Sequence, residues 1–138
     1  MGSICIYKGV VGLNDLHDLR EYTENALEEI GVDADSRANL VLIVDEWVTN
    51  VISYAYPDGD GELELRVYVS NGRVCVCIRD RGPEFDITAY GAVTVKNINA
   101  PESKPGGLGI ELIRRLADKI EYSRTEDGWN ESCFSKKI

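Results

Sequence analysis

Three short polar segments carry the residues whose types and spacing could do chemistry. Glu46 and Asn50 lie four residues apart in the apolar run Leu40–Tyr56, so they project from one face of a helix, with Asn39 and Ser53 extending the stripe by a turn each way. Burying a carboxylate and a carboxamide costs free energy unless each finds a partner. The stripe is therefore a wet edge, a satisfied internal network or the polar lining of a pocket. Asp80 closes an apolar strand two residues before Gly82. It reads as a strand-ending turn, or as a fixed acceptor for an amino group such as the exocyclic amine of adenine, with Gly82 leaving room for a flat ring. Gly106-Gly107-Leu108-Gly109 opens a helical pattern. It is a tight turn, or a place where backbone amides and the helix N-terminus receive an anion. The order of the three makes sense if all of them line one nucleotide pocket.

The totals bound the setting for such a pocket. A chain of 138 residues, 43% apolar and 28% charged, fits one compact domain spanning 1–138. It has no apolar run long enough to span a bilayer and no basic-then-apolar leader, which predicts a soluble, cytoplasmic protein without a membrane partner. Ile6 stands where a myristoylation signal needs Ser or Thr. The formal charge of −9, from 15 basic and 24 acidic side chains, repels a phosphate backbone and argues against nucleic acid. Cys5, Cys75, Cys77 and Cys133 form no CxxC pair and have no nearby histidine, so zinc is not expected. Cys75 and Cys77 share one face of a strand, where they read as small buried hydrophobes in the free thiol form. His17, in a polar helical stretch, reads as a surface residue.

The elements that must position these segments follow from periodicity. Ser3 to Lys8 alternates as a strand, and Asn14 can cap a helix from Asp15 to about Ile30 that Gly31 ends. Asp33 or Asp35 starts the central helix, which the Pro57–Gly61 turn stops. Strands over Glu62–Ser70 and Arg73–Arg79 meet at Asn71-Gly72, a strong hairpin signal. Periodicity fades from Arg81 to Pro105, a loop long enough to be a lid or binding loop. A helix pattern resumes over Gly109–Lys119, and strands Ile120–Arg124 and Asn130–Ser135 close the chain around Glu126-Asp-Gly128. The order predicts an α/β (α+β) two-layer sandwich with a mostly antiparallel sheet and its helices on one face.

The three segments occur as Asp-Glu-x-x-x-Asn-x-x-x-x-Ala-Tyr, Arg-Asp-Arg-Gly-Pro-x-Phe-Asp and Gly-Gly-Leu-Gly-x-x-Leu-x-Arg-Arg-x-x-Asp, over almost the whole length. In that order they resemble the nucleotide-binding domain of the GHKL ATPases, which has the Bergerat-type ATP-binding fold. Within that group they resemble the anti-sigma-factor serine kinases of the RsbW and SpoIIAB type. The resemblance implies ATP and Mg²⁺ as cofactors, Glu46 as general base and Asn50 as the Mg²⁺ ligand. It also implies Asp80 on the adenine amine with Gly82 beside the ring, a lid within Ile87–Pro105, and Gly106, Gly107, Leu108 and Gly109 at the phosphates. By the same resemblance the substrate is a serine or threonine on a STAS-domain anti-anti-sigma protein, a sigma factor is a second partner, and a homodimer is expected.

Phosphoryl transfer asks for the same parts: charge neutralisation at the β and γ oxygens, donors around the phosphates and a group that orients the attacking hydroxyl. Mg²⁺ keeps several waters, so one carboxamide suffices from the protein. Pro83 and Glu84 replace the second glycine of wider GHKL members, and Ser53 and Tyr54 stand where many relatives carry basic or His residues. The predicted function is a regulatory protein serine/threonine kinase. The alternative is a non-catalytic ATP-binding module that sequesters a regulator.

Overall fold

The computed structural model describes residues 4–89 and 106–138. Its sheet has five strands, β1 (Cys5–Gly12), β2 (Asp60–Ser70), β3 (Arg73–Asp80), β4 (Lys119–Arg124) and β5 (Asn130–Lys137), in the order β1-β2-β3-β5-β4. Every pairing is antiparallel. Helices α1 (Leu16–Ile30), α2 (Ala34–Ala55) and α3 (Gly106–Leu116) pack on one face, which is the predicted α+β two-layer sandwich. Among the described residues no helix is long and apolar enough to cross a membrane.

The core forms where α2 meets the sheet. Leu40, Ile43, Val44, Trp47, Val48, Val51 and Ile52 bury one side of the helix against Leu63, Leu65, Val67, Val76, Ile78 and Phe134 of the central strands. Asp33 caps α2 by accepting the Ser36 N–H at 3.1 Å, and that bond holds its carboxyl below the usual carboxylate range. The β2–β3 hairpin turns at Asn71 and Gly72, whose φ angles of 53° and 73° are the left-handed values that a two-residue turn of this hand requires.

Four expectations change. The first strand runs on to Gly12, because its register with β2 continues to Gly12↔Asp60. Asn14 does not cap α1. A short turn over Leu13–Asp15 comes first, closed by the Asp15 carboxylate accepting the Gly12 N–H at 2.8 Å. The third helix begins at Gly106, three residues before the predicted start, and stops at Leu116, so the glycine segment forms its first turn. Cys77 is also not a free thiol. Register places it directly opposite Cys133 across β3 and β5, and the two form a disulfide, while Cys5 and Cys75 stay free. Alternation along one strand gives the face of Cys77 but not which strand lies beside it.

Candidate functional site

Helix α2 supplies one wall of a cleft and the end of β3 supplies the other. The cleft encloses about 70 Å³ and is lined by Trp47, Asn50, Tyr54 and Ala55 from the helix and by Asp80, Pro83, Glu84 and Phe85 from the strand end and the loop after it. Tyr54 stacks on Phe85, and Trp47 meets Phe85 edge-on, which gives the cleft an aromatic side. Tyr54 thus belongs to the cleft.

Asn50 and Asp80 face this same cleft from opposite walls. Asn50 is 5% exposed, and its Oδ1 is buried with no hydrogen-bond partner among the described residues. Native interiors seldom leave such an acceptor unpaired, and an unpaired hard oxygen is what a Mg²⁺ ion takes as a ligand. Asp80 is 3% exposed. Its Oδ1 accepts the Gly82 N–H at 2.8 Å and the Asn130 Nδ2 at 3.0 Å. Burial pushes its carboxyl above the ordinary range, against the Asn130 amide, the Gly82 N–H and the Arg124 guanidinium, which all favour the charged form.

Gly82 follows Asp80 at the cleft's end, with its N–H held by the Asp80 carboxylate. A Cβ added there would collide with the Cβ of Ala55, so the missing side chain lets the loop pack against the end of α2. The next residue of α2's terminal pair, Tyr56, is equally committed. Its hydroxyl donates to the Glu62 carbonyl and accepts the Arg81 N–H at 2.7 Å, and its ring lies against Gly61. The Ala55-Tyr56 pair therefore anchors both the start of β2 and the turn that follows Asp80.

Glu46 lies outside the aromatic lining, one turn of α2 before Asn50 and half-buried. It reaches α3: a Cβ built on Gly109 would fall 2.6 Å from Glu46 Oε1. The carboxylate thus occupies the space that a side chain at 109 would take, and would have to move to admit one. The first turn of α3, Gly106–Gly109, has amides with no acceptor inside the helix, and the helix dipole favours an anion there. Of the predicted lid, Ile87–Ala89 forms a short helical turn, and 90–105 lie outside the described residues.

One residue of the site carried no motif. Asn130, 2% exposed at the start of β5, pairs with Asp80 in register and bonds to the backbone of the loop that walls the cleft. Its sequence signal is slight: strand alternation puts Asn130, Ser132 and Phe134 on one face, and Phe134 marks that face as the core.

The family model for the histidine kinase-like ATPase domain matches residues 12–136. Serine-protein kinase RsbW of Halalkalibacterium halodurans is 30% identical over 100 residues, which cover 67% of this chain and 58% of that protein. Serine/threonine-protein kinase BtrW of Bordetella bronchiseptica is 30% identical over 96 residues, 68% of this chain and 66% of that protein. The chain thus spans between 58% and 66% of the length of these relatives. A chain in the crystal structure of the SiaB-SiaC complex from Pseudomonas aeruginosa shares the fold, with a TM-score of 0.65 at 14% identity over 96% of this chain and 88% of that one.

Proposed function

This chain belongs to the histidine kinase-like ATPase domain family, and from that premise we propose that it binds Mg-ATP and phosphorylates a serine or threonine on a partner protein. The observation that carries this reading is the seating of Glu46. Its carboxylate lies against Gly109 in the first turn of α3, one turn of α2 from the Asn50 Oδ1 that no described residue pairs. A base, a metal ligand and an anion cradle thereby converge at the mouth of a cleft whose far wall holds a buried carboxylate.

In this reading Asp80 accepts the exocyclic amine of the base, and Tyr54, Phe85 and Trp47 flank the ring. The amides of Gly106, Gly107, Leu108 and Gly109 receive the phosphates. Asn50 Oδ1 would hold the Mg²⁺, which when bound neutralises charge on the β and γ oxygens. Glu46 takes the proton of the attacking hydroxyl as the new oxygen–phosphorus bond forms and the bond to the ADP oxygen breaks. The relatives named as kinases support this reading, and the resemblance to anti-sigma kinases makes a STAS-domain antagonist the phosphoacceptor, with a sigma factor as a second partner. Its place would be the cytoplasm, where ATP is supplied.

Thermal unfolding with ATP and Mg²⁺, with GTP and metal-free ATP as controls, tests the first half. Ligand at about 100 times its Kd should add about 2.7 kcal/mol, a rise of several degrees. No rise with millimolar ATP would refute the nucleotide site. Mass spectrometry of the partner tests the second half, with Glu46→Gln expected to keep ATP binding and lose transfer. Binding without any phosphorylated partner would leave a nucleotide-gated binding module instead.

A further inference from the structure

Asp80 can read the edge of a base only if its carboxylate is held in one orientation, and the residue that holds it lies 50 positions away in the chain. We propose that Asn130 is a positioning residue that makes the cleft selective for a 6-amino purine. It does so by committing one oxygen of Asp80 to the protein and leaving the other as a fixed acceptor. The inference deepens the nucleotide reading above and rests on it.

The geometry closes in two steps. Asn130 cannot turn its amide over. Its Oδ1 accepts the Arg124 Nη1 at 3.0 Å, the Phe85 N–H at 3.3 Å and the Tyr122 hydroxyl at 2.5 Å. A guanidinium and a backbone N–H only donate, so a flipped amide would set its own NH₂ against them. The Nδ2 must therefore face Asp80, where it donates to Oδ1 at 3.0 Å. In the second step, the Gly82 N–H donates to that same oxygen at 2.8 Å. A half-turn only exchanges two equivalent oxygens and any smaller rotation would break both bonds, so one oxygen, here Oδ2, is left for a donor on the ligand.

The same Nδ2 lies 2.8 Å from the Pro83 carbonyl and 3.3 Å from the Gly82 carbonyl. With the Phe85 N–H bound to Oδ1, one side chain thus sets both the acceptor and the backbone of the wall beside it. A fixed acceptor meets the amine at position 6 of adenine with a hydrogen bond, but meets a 6-oxo group lone pair to lone pair. Discrimination by a site built around a hydrogen bond is large because the wrong ligand leaves a buried polar group unpaired.

The test is the Kd of ATP and of ITP, the 6-oxo analogue, each with Mg²⁺, measured by calorimetry on the full chain. The wild type should prefer ATP by about 100-fold, the span of one hydrogen bond to a charged group. Asn130→Ala should cut that preference to about ten-fold or less, with the loss falling on ATP while the ITP constant moves little. Tyr122→Phe removes one of the three donors that orient Asn130. As an isosteric change on an edge strand it tests the idea even where the alanine variant fails to fold, and its preference should fall about three-fold. Equal weakening of both nucleotides, or an unchanged preference in either folded variant, would overturn the positioning role. A wild type that binds ATP and ITP alike would overturn it too while leaving nucleotide binding intact. Binding of neither nucleotide would remove the underlying reading, and this inference with it.

Discussion

Replacing Asn50 by leucine separates what this residue does for the fold from what it does for a ligand. The two side chains branch alike at Cγ, and the cleft of about 70 Å³ beside Asn50 can take the extra volume of the leucine methyls. In the free protein the buried Oδ1 has no partner among the described residues, a cost of about 1–3 kcal/mol in lost hydration. Leucine removes that cost and adds apolar contact with Trp47 and Val51, so the variant should be more stable than the wild type. Unfolding entropy of about 2 cal/mol/K per residue gives about 0.3 kcal/mol/K for this length, and so a Tm increase of roughly 3–10 °C. The ligand response should move the opposite way. Wild-type Tm should rise more with Mg-ATP than with ATP plus a chelator, and the leucine variant should respond to both alike. A leucine variant less stable than the wild type would show that Oδ1 is satisfied in the folded state. A stabilised variant that kept its magnesium response would place the metal on other ligands.

Asp80→Asn keeps an acceptor for Gly82 and Asn130 but presents an NH₂ to the cleft. ATP affinity should fall about 10–150-fold by calorimetry as a charged hydrogen bond is lost. Because burial raises the native pKa of Asp80 above its ordinary 3.8, the wild type loses stability as pH rises through that window. The Asn variant should thus have the higher Tm at pH 7, with the gap closing as pH falls toward 3.8. Gly109→Ala adds a helix-favouring residue worth about 0.5–1 kcal/mol, yet its Cβ displaces the Glu46 carboxylate. Tm should hold or rise while phosphotransfer drops about 10–100-fold, and undiminished transfer would show that Glu46 acts from another position. Gly82→Ala should cost about 1–3 kcal/mol in chemical denaturation through the clash with Ala55. Adding Ala55→Gly should recover part of that loss, and strict additivity would mean that the two positions do not touch.

Local rules in the chain already specify much of the framework. Asp33 ahead of an apolar helical run, Asn71-Gly72 between alternating strands and the stripe of Glu46 and Asn50 on one helix face all depend on residues within a few positions of one another. Caps, turns and periodicity are short-range physics, so they are legible before any fold is known. The ordered motifs also pointed to the right family. Other features depend on which elements become neighbours. The sheet inserts β5 between β3 and β4, and this alone brings Asn130 to Asp80 and Cys133 to Cys77. The packing of α3 on α2 seats Gly109 against Glu46, and the close approach of Ala55 gives Gly82 a packing role at the end of α2. Strand order and register are chosen by the summed burial and pairing of the whole chain, which no local window contains. Residue types and spacings therefore supplied the parts of the cleft, and the long-range pairing decided which partners hold the Asp80 carboxylate at its wall.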